Sequence, residues 1–283
     1  MDEPVAPPAA ASAAPALFAG DASAMANYYD AVLVPGLFKP WAEDLASRLP
    51  LAPTDHVLDV ACGTGALSAA IAARLADGGR LLGTDLAAGM LMMAERKAIP
   101  RARFRVGDAV AQPVADAEFD GVTCQQGLQF VPDRAAAVRE MRRALKPGGW
   151  LAVACWTAVA EQVPMVAFWT ALRNRGWTDA ADALAAPFAL WDKDELARLV
   201  TGSGFEDVRV ETVTRDVHLP APRDFAHGYA QVPPFRAAYL AATQDERDAF
   251  VADVDAQLAS YANADGTSAP MTSNIVFATA PLD

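Results

Sequence analysis

The stretch that decides the fold reads Val57-Leu58-Asp59-Val60-Ala61-Cys62-Gly63-Thr64-Gly65-Ala66-Leu67. Its apolar start predicts a strand buried on both faces of a parallel sheet. The two glycines predict a turn, and the alanine-rich residues 68–75 favour a helix. Strand, glycine turn and helix is the arrangement that brings a nucleotide-like ligand to the carboxyl end of a sheet. Glycine suits the turn because a Cβ would block the approach of the ligand to the backbone.

The chain after this turn alternates between strands and helices, which predicts an α/β fold with parallel pairing and right-handed crossovers. Further strands are predicted at residues 80–85, 103–108, 119–124 and 150–156, with helices at 87–97 and 134–145 and a turn at 146–149. The second half is less regular. It predicts helices at residues 163–175, 194–201 and 244–261, strands at 205–218 and 273–280, and a loop at Val232-Pro233-Pro234-Phe235.

Composition excludes several classes of protein. The formal net charge of -12 argues against a nucleic-acid partner. No apolar run approaches the roughly 20 residues of a membrane span, and the acidic N-terminus is unlike a secretory signal. Cys62, Cys124 and Cys155 lie in or beside predicted strands without metal-ligand spacing, so we expect buried, reduced thiols. These features predict a cytoplasmic protein without a metal site.

Three acids stand at the carboxyl ends of neighbouring predicted strands: Asp59, Asp85 and Asp108. Asp85 follows Gly63 at the distance where a carboxylate accepts both hydroxyls of a ribose. Asp108 can accept a hydrogen bond from an adenine amino group, and Asp59 suits a cationic amine, directly or through water. A turn or helix cap is the alternative for any one of them. Three acids at matched positions favour a ligand.

The glycine turn disfavours a dinucleotide. Ser68 occupies the position of the third glycine in the usual dinucleotide fingerprint. A carboxylate just before the turn would also repel a pyrophosphate. A ligand with a sulfonium and an ammonium, such as S-adenosylmethionine, fits that charge.

The chain resembles the class I S-adenosylmethionine-dependent methyltransferases, in particular their ubiquinone/menaquinone-biosynthesis-like branch. The resemblance runs from about Tyr28 to Trp156, close to half of the chain. It rests on Tyr29-Asp30, residues 57–65, Gly83-Thr84-Asp85, Val106-Gly107-Asp108, Phe130-Val131-Pro132-Asp133 and residues 140–149.

The resemblance implies a Rossmann-like, mostly parallel sheet of seven strands in the order 3-2-1-4-5-7-6. The last-added strand is antiparallel, helices cover both faces, and a partly helical cap lies above. Residues 1–16 are mostly alanine and proline, which predicts a disordered tail, and the resemblance implies one domain at 17–283. Within that domain, lid helices span 17–50, the cofactor-binding core spans 54–156, and substrate-cap segments span 157–190 and 220–263.

The resemblance also assigns cofactor contacts by position. Gly63 and Gly65 would face the methionyl part, with Asp59 beside them, and Asp85 would hold the ribose. The other implied contacts are Leu86 and Met90 near the adenosine, Asp108 and Ala109 at the adenine, Gln125 on the sulfonium side, and Tyr29 at the methionyl carboxylate.

The catalytic candidates are His218, His227 and Tyr229, because a neutral imidazole takes a phenolic proton near neutral pH. The alternatives are a polar strand end for His218 and a surface loop for His227. Candidates for lining the pocket are Tyr28, Gln126, Phe130, Trp156, Phe168, Trp169, His227 and Tyr229. Cap packing is the alternative for the aromatic residues at 156, 168, 169 and 177.

The resulting hypothesis is methyl transfer from S-adenosylmethionine, with S-adenosylhomocysteine as product, to an oxygen or carbon of a largely apolar small molecule. Quinone-like compounds and other secondary metabolites fit the alanine-, proline- and aromatic-rich segments outside the core. The alternatives are a methyltransferase-fold protein with a non-methylating activity and a binding module. We expect a monomer or a homodimer.

Overall fold

The computed structural model describes residue 27, residues 29–230 and residues 232–282. The tail predicted at 1–16, the start of the predicted lid and the pocket candidate Tyr28 lie outside these residues. One mixed sheet is formed by β1 His56–Val60, β2 Arg80–Asp85, β3 Ala102–Val106, β4 Phe119–Gln125, β5 Leu145–Trp156, β6 Glu206–Leu219, β7 Ala262–Asn263 and β8 Gly266–Thr279.

The long strands follow the order β3-β2-β1-β4-β5-β8-β6. β1 to β5 pair in parallel, and β8 runs antiparallel to both β5 and β6. The predicted fold class and strand order are therefore confirmed. The one difference is the two-residue strand β7, which pairs with β8 and makes the last long strand the eighth.

A π-type helix at Tyr29–Phe38 is followed by ten α-helices within the described ranges. These are α1 Lys39–Arg48, α2 Ala66–Ala72, α3 Ala88–Arg96, α4 Arg134–Ala144, α5 Val163–Asn174, α6 Thr178–Ala185, α7 Lys193–Gly202, α8 Pro222–Tyr229, α9 Pro233–Ala241 and α10 Gln244–Leu258. Polar capping residues stabilise the first turns of several helices. Asp133 accepts from Ala136 N at α4, and Thr243 with Glu246 forms a capping box at α10.

Two local predictions are corrected by the structure. The segment 232–235 is not a loop, because α9 begins at Pro233, where a proline lacks only an N–H that the first turn does not use. The turn predicted at 146–149 is a bulge inside β5. There the pairing passes from Phe119–Leu145 to Gly121–Trp150.

Apolar side chains fill both faces of the sheet. Val57 and Leu58 are fully buried in different clusters, one on each side, as predicted for β1. Met141 of α4 covers one face and Leu45 of α1 covers the other. The buried sheet therefore presents its carboxyl edge as the available place for a ligand.

A two-stranded ribbon rises beyond that edge. β5 pairs with β8 as far as Trp156–Ser273, whereas β6 continues along β8 from Thr214–Thr272 to Leu219–Thr267. A third apolar cluster packs on this ribbon and joins helices of the two predicted cap segments. Its fully buried members include Phe168, Val217, Phe225, Phe250 and Met271. We call this cluster the cap core.

Across the described ranges, no helix combines the length and the apolar character that a membrane crossing requires.

Candidate functional site

The two glycines of the turn after β1 have different surroundings. Both have positive φ, +55° at Gly63 and +83° at Gly65. A Cβ placed on Gly63 would meet no atom within 4 Å, whereas one on Gly65 would lie 3.2–3.4 Å from the side chains of Ile99, Ala94 and Phe104. Gly63 therefore leaves open space above the turn. Gly65 has a packing role, and its predicted contact with the methionyl part lacks this support.

Asp85, at the end of β2, organises the turn. Its Oδ2 accepts a hydrogen bond from Gly63 N at 2.8 Å, and its Oδ1 accepts from Ala87 N at 2.8 Å. Burial raises the pKa of Asp85, while the backbone N–H groups of Ala87, Gly63 and Leu86 oppose that rise. A carboxylate has about four acceptor positions. The half-buried side chain can therefore hold the turn and still accept hydrogen bonds from a ligand.

Asp59 lies beneath the turn rather than at its surface. Its side chain accepts hydrogen bonds from Ser68 Oγ at 2.6 Å and Thr123 Oγ1 at 2.9 Å, and the residue is 1% exposed. Desolvation raises the pKa of this carboxyl from 3.8 to about 6, against the opposing effect of the two hydroxyls. The predicted direct contact with a ligand amine is thus replaced by a tie between β1, α2 and β4.

The raised pKa of Asp59 predicts a pH effect on stability. The folded state holds this proton more tightly than the unfolded chain, so the contribution of Asp59 is fully present below about pH 4. It is lost as the pH rises towards 6. The free energy of unfolding of wild type minus that of Asp59→Asn should fall by about 3 kcal/mol across this window. Urea unfolding at pH 4, 5, 6 and 7 measures it, and a pH-independent difference would contradict the assignment.

The adenosine side of the predicted site is more exposed. Asp108 is exposed, and its Oδ1 accepts from Val110 N at 3.1 Å, so it closes a turn as the alternative reading held. Ala109 is half-buried, Met90 is buried, and Leu86 is 71% exposed. An exposed leucine beside Asp85 is an apolar surface suited to a flat ring.

A row of aromatic side chains covers the carboxyl edge. Tyr29 stacks on Phe38 at 4.8 Å between ring centroids, Phe38 lies 6.4 Å from Trp156, and Trp156 meets Trp41 edge-on at 5.4 Å. We call these four residues the aromatic row. Gln125 Nε2 donates to Phe38 O at 3.2 Å, which ties the row to the end of β4.

Tyr29 connects this row to the turn and to the cap. Burial raises its pKa far above the ordinary range for tyrosine, and the nearby charge of Asp85 raises it further. Asp30 and Tyr229 contribute in the same direction. Tyr29 is therefore a neutral phenol, close enough to Asp85 and to Tyr229 of α8 for both to oppose its ionisation.

Lys97 fastens the N-terminal π-type helix to the glycine turn. Its Nζ forms an ion pair with Asp30 and donates to Thr64 O at 2.8 Å. The pattern of the sequence did not single out this lysine, because it follows the end of a helix at a position where cations are common.

Lys97→Met should weaken cofactor binding about three- to tenfold, because both the ion pair and the hydrogen bond to the turn are lost. Isothermal titration with S-adenosylmethionine measures the change. Lys39→Met is the matched control, since Lys39 pairs with Glu43 at 3.8 Å on the open surface. An equal loss of S-adenosylmethionine affinity in the two variants would contradict a specific role of Lys97.

The three catalytic candidates do not converge. His227 is exposed on α8, with its Nδ1 2.8 Å from Tyr239 Oη, and His218 is exposed on the edge strand β6. His218 thus lies near a strand end, as its alternative held, while His227 lies on an exposed helix face rather than in a loop. Tyr229 is half-buried and stacks on Phe225 at 5.3 Å between centroids. Tyr229 lies near Tyr29 of the predicted lid, and the backbone of His218 packs against Gly36 of the same segment.

Two of the pocket-lining candidates, Phe168 and Trp169, pack within the cap, and three others lie at the carboxyl edge or just after β4. Phe168 is fully buried in the cap core, and Arg173 lies over the ring of Trp169. Trp156 belongs to the aromatic row, and Phe130 is half-buried after β4. Gln126 is buried at the end of β4. The cap-packing alternative therefore holds for Phe168 and Trp169.

The cysteines match the expectation for buried thiols. Cys62, Cys124 and Cys155 are free and buried, and burial raises the pKa of each. Among the residues that the structure describes, no group of three or more histidine, cysteine or acidic residues is arranged to hold a metal ion.

Comparison with known proteins identifies the family. A model of the methyltransferase domain matches residues 58–153. A demethylmenaquinone methyltransferase of Symbiobacterium thermophilum is 35% identical over 133 residues, 44% of this chain and 53% of that protein. One from Corynebacterium urealyticum is 32% identical over 197 residues, 65% of this chain and 81% of that protein. The chain thus spans about half the length of the former relative and most of the latter.

The solved structures agree on the fold. The phosphoethanolamine N-methyltransferase 2 of Haemonchus contortus, in complex with S-adenosyl-L-methionine, superposes with a TM-score of 0.62 at 18% identity, covering 95% of this chain and 60% of that one. The glycine turn and the strand order indicate the same family as these relatives. The chain belongs to the class I S-adenosylmethionine-dependent methyltransferases, in their quinone-biosynthesis-like branch.

Proposed function

We propose that this protein transfers a methyl group from S-adenosylmethionine to an oxygen or carbon of a quinone-like, largely apolar small molecule. One observation carries the proposal: the carboxylate of Asp85 holds the glycine turn through Gly63 N at 2.8 Å, beneath open space above Gly63. The quinone-like acceptor follows from the relatives named demethylmenaquinone methyltransferases.

The residues at the edge fit the cofactor. Asp85 would accept the ribose hydroxyls, Leu86 and Met90 would face the adenosine, and Asp108 with Ala109 would meet the adenine. Gly63 would lie against the methionyl part, and Asp59 would act on its ammonium through water. Gln125 has a buried amide oxygen without a donor among the described residues, which suits the cationic sulfonium side. Tyr29, as a neutral phenol, can donate to the methionyl carboxylate.

The cofactor, when bound, supplies the methyl group from its sulfonium centre. The protein's own contribution is to align the acceptor and to exclude water, which together lower the barrier by several kcal/mol. The aromatic row closes the carboxyl edge, and Lys97 holds that closure to the turn. His218 and His227 are exposed, so an acceptor that ionises readily or carries a stabilised carbanion, and needs little help from a base, suits the site.

Location and assembly stay predictions. The three reduced thiols support a cytoplasmic protein, because disulfides are rare in that compartment. A monomer or homodimer, the absence of a nucleic-acid partner and a place in secondary metabolism also remain expectations.

Labelled methyl transfer tests the function. The full chain is incubated with S-adenosylmethionine carrying a labelled methyl group, and with 1,4-naphthalenediol, catechol or 1-naphthol under reducing conditions. We expect label in at least one extracted product, and none with Asp85→Ala. Calorimetry with the cofactor is run in parallel. Absence of cofactor binding would overturn the proposal, while binding without transfer to any acceptor would favour the non-methylating alternative.

A further inference from the structure

Two buried glutamines after β4 are used by nothing described so far. Gln126 and Gln129, the glutamine pair, are 6% and 4% exposed. We propose that their amide oxygens form the subsite that accepts a hydrogen bond from a hydroxyl of the methyl acceptor. This inference rests on the proposed function and names the residues that select its substrate.

The orientation of each amide is fixed by its partner. Ser273 Oγ donates its hydrogen to Cys155 O at 2.8 Å, so it can only accept from Gln126 Nε2, which lies at 3.0 Å. Gln129 Nε2 donates to the carbonyl oxygen of Gln126 at 2.9 Å. Reversing the amide of Gln129 would lose its hydrogen bond, and reversing that of Gln126 would require Ser273 Oγ to give up its bond to Cys155 O.

The fixed orientation leaves two hydrogen-bond acceptors, the amide oxygens of the pair, in the protein interior. Within the described part of the chain, no donor reaches Oε1 of Gln126 or Oε1 of Gln129. Buried polar atoms nearly always have a partner, because desolvation without one is costly. Gln126 also holds φ at +54°, a left-handed conformation that a non-glycine residue rarely adopts. Unpaired buried polar atoms and strained backbone conformations are both concentrated at functional sites.

The position of the pair separates it from the cofactor side. Gln126 N donates to Ala154 O of β5 at 2.8 Å, and its side chain reaches β8 at Ser273. The glycine turn lies at β1 and β2, and β4 stands between that turn and β5 in the sheet order. Gln125, the neighbouring residue, ties the aromatic row through Phe38 O. The glutamine pair thus lies at the same edge, towards the cap.

The chemistry of the pair defines what it recognises. Two amide oxygens accept hydrogen bonds and donate none, so their partner must carry a donor such as a phenolic hydroxyl. A methyl acceptor that lacks a hydroxyl hydrogen would leave the two buried amide oxygens unpaired. Sites of this kind discriminate strongly against the analogue that lacks the donor.

The test compares 1-naphthol with 1-fluoronaphthalene, in which fluorine replaces the hydroxyl at similar size. Affinities are measured by titration of the full chain saturated with S-adenosylhomocysteine. Wild type should bind 1-naphthol about tenfold more tightly. Gln126→Met and Gln129→Met should lose that preference. Gln257→Met should keep it, because Gln257 donates to Ala167 O and Asp253 O on α5 and α10.

Each outcome decides the question. Equal wild-type affinities, or no binding of 1-naphthol up to its solubility, would overturn the subsite, as would variants that keep the preference. A loss of S-adenosylhomocysteine affinity in the glutamine variants would assign the pair to the cofactor instead. Failure of the proposed function is seen separately, as absent cofactor binding in wild type. The wild-type preference needs no variant, so it stands as a test even where a variant fails to fold.

Discussion

Asp85→Ala is expected to lower the affinity for S-adenosylmethionine at least a hundredfold. The change removes the acceptor of two backbone N–H groups, Gly63 N and Ala87 N, so the turn loses its support. It also removes the carboxylate proposed to bind the ribose. Hydrogen bonds to a charged group contribute about 1.5–3 kcal/mol each, and two of them account for a loss of this size.

Isothermal titration measures this affinity, and circular dichroism with urea unfolding reports whether the variant folds. Asp77→Ala is the control, since Asp77 lies on the open surface in an ion pair with Arg101. Asp85→Asn separates the two roles. It keeps an acceptor oxygen but no charge, and should fall between wild type and Asp85→Ala. An affinity within threefold of wild type for Asp85→Ala would remove the ribose assignment.

Phe168→Ala is expected to lower the free energy of unfolding by about 3–5 kcal/mol. Phe168 is fully buried, and its ring meets Phe225, Tyr229, Phe235 and Phe250 at centroid distances of 4.9–6.1 Å. Removing it opens a cavity at the centre of the cap core, where no neighbour can collapse without breaking several ring contacts.

Urea unfolding monitored by tryptophan fluorescence measures this loss. Leu240→Ala, at a side chain 55% exposed, should cost less than about 1 kcal/mol. Cofactor affinity of folded Phe168→Ala should stay within a few-fold of wild type, because Phe168 packs with the cap. A loss under 1 kcal/mol in Phe168→Ala would show that the cap core contributes little to stability.

The sheet was predictable because its signals are local. Short apolar runs ending in an acid mark β1 and β2, and the strand order follows from the family that these motifs resemble. The start of β8 was missed. Residues 266–272 include glycine, proline and small polar residues that resemble a loop, and pairing with β6 and β7 makes them a strand.

The cap was predicted less well. α6 and α8 have eight residues each, and α9 begins at Pro233, so their patterns are short and interrupted. The exposure of the histidine candidates was not predictable for a related reason. Sequence gives the residue type, while only tertiary packing decides that His218 and His227 face solvent.

In the candidate site too, residue positions were predictable from local spacing, whereas contacts across the sheet were not. Asp85 and Gly63 were identified from spacing, yet the hydrogen bond between them was not, because it joins two strands. Burial of Asp59 beneath Ser68 and Thr123 likewise depends on contacts across the sheet. Gln129 carried no pattern at all. Its buried, unpaired amide oxygen results from contacts that only the folded chain brings together.

The ribbon of β6 and β8 has a consequence for how such proteins diversify. Leu219 and Thr267 are paired across it, so the chain leaves and re-enters the ribbon at neighbouring points. Everything between them is an excursion with adjacent ends, and exchanging it for a segment of another length changes the loop-closure entropy only slightly. An inherited sheet can thus keep its cofactor turn while a grafted module supplies a new wall for the acceptor. The segment between Leu219 and Thr267 can therefore change in length without disturbing the sheet.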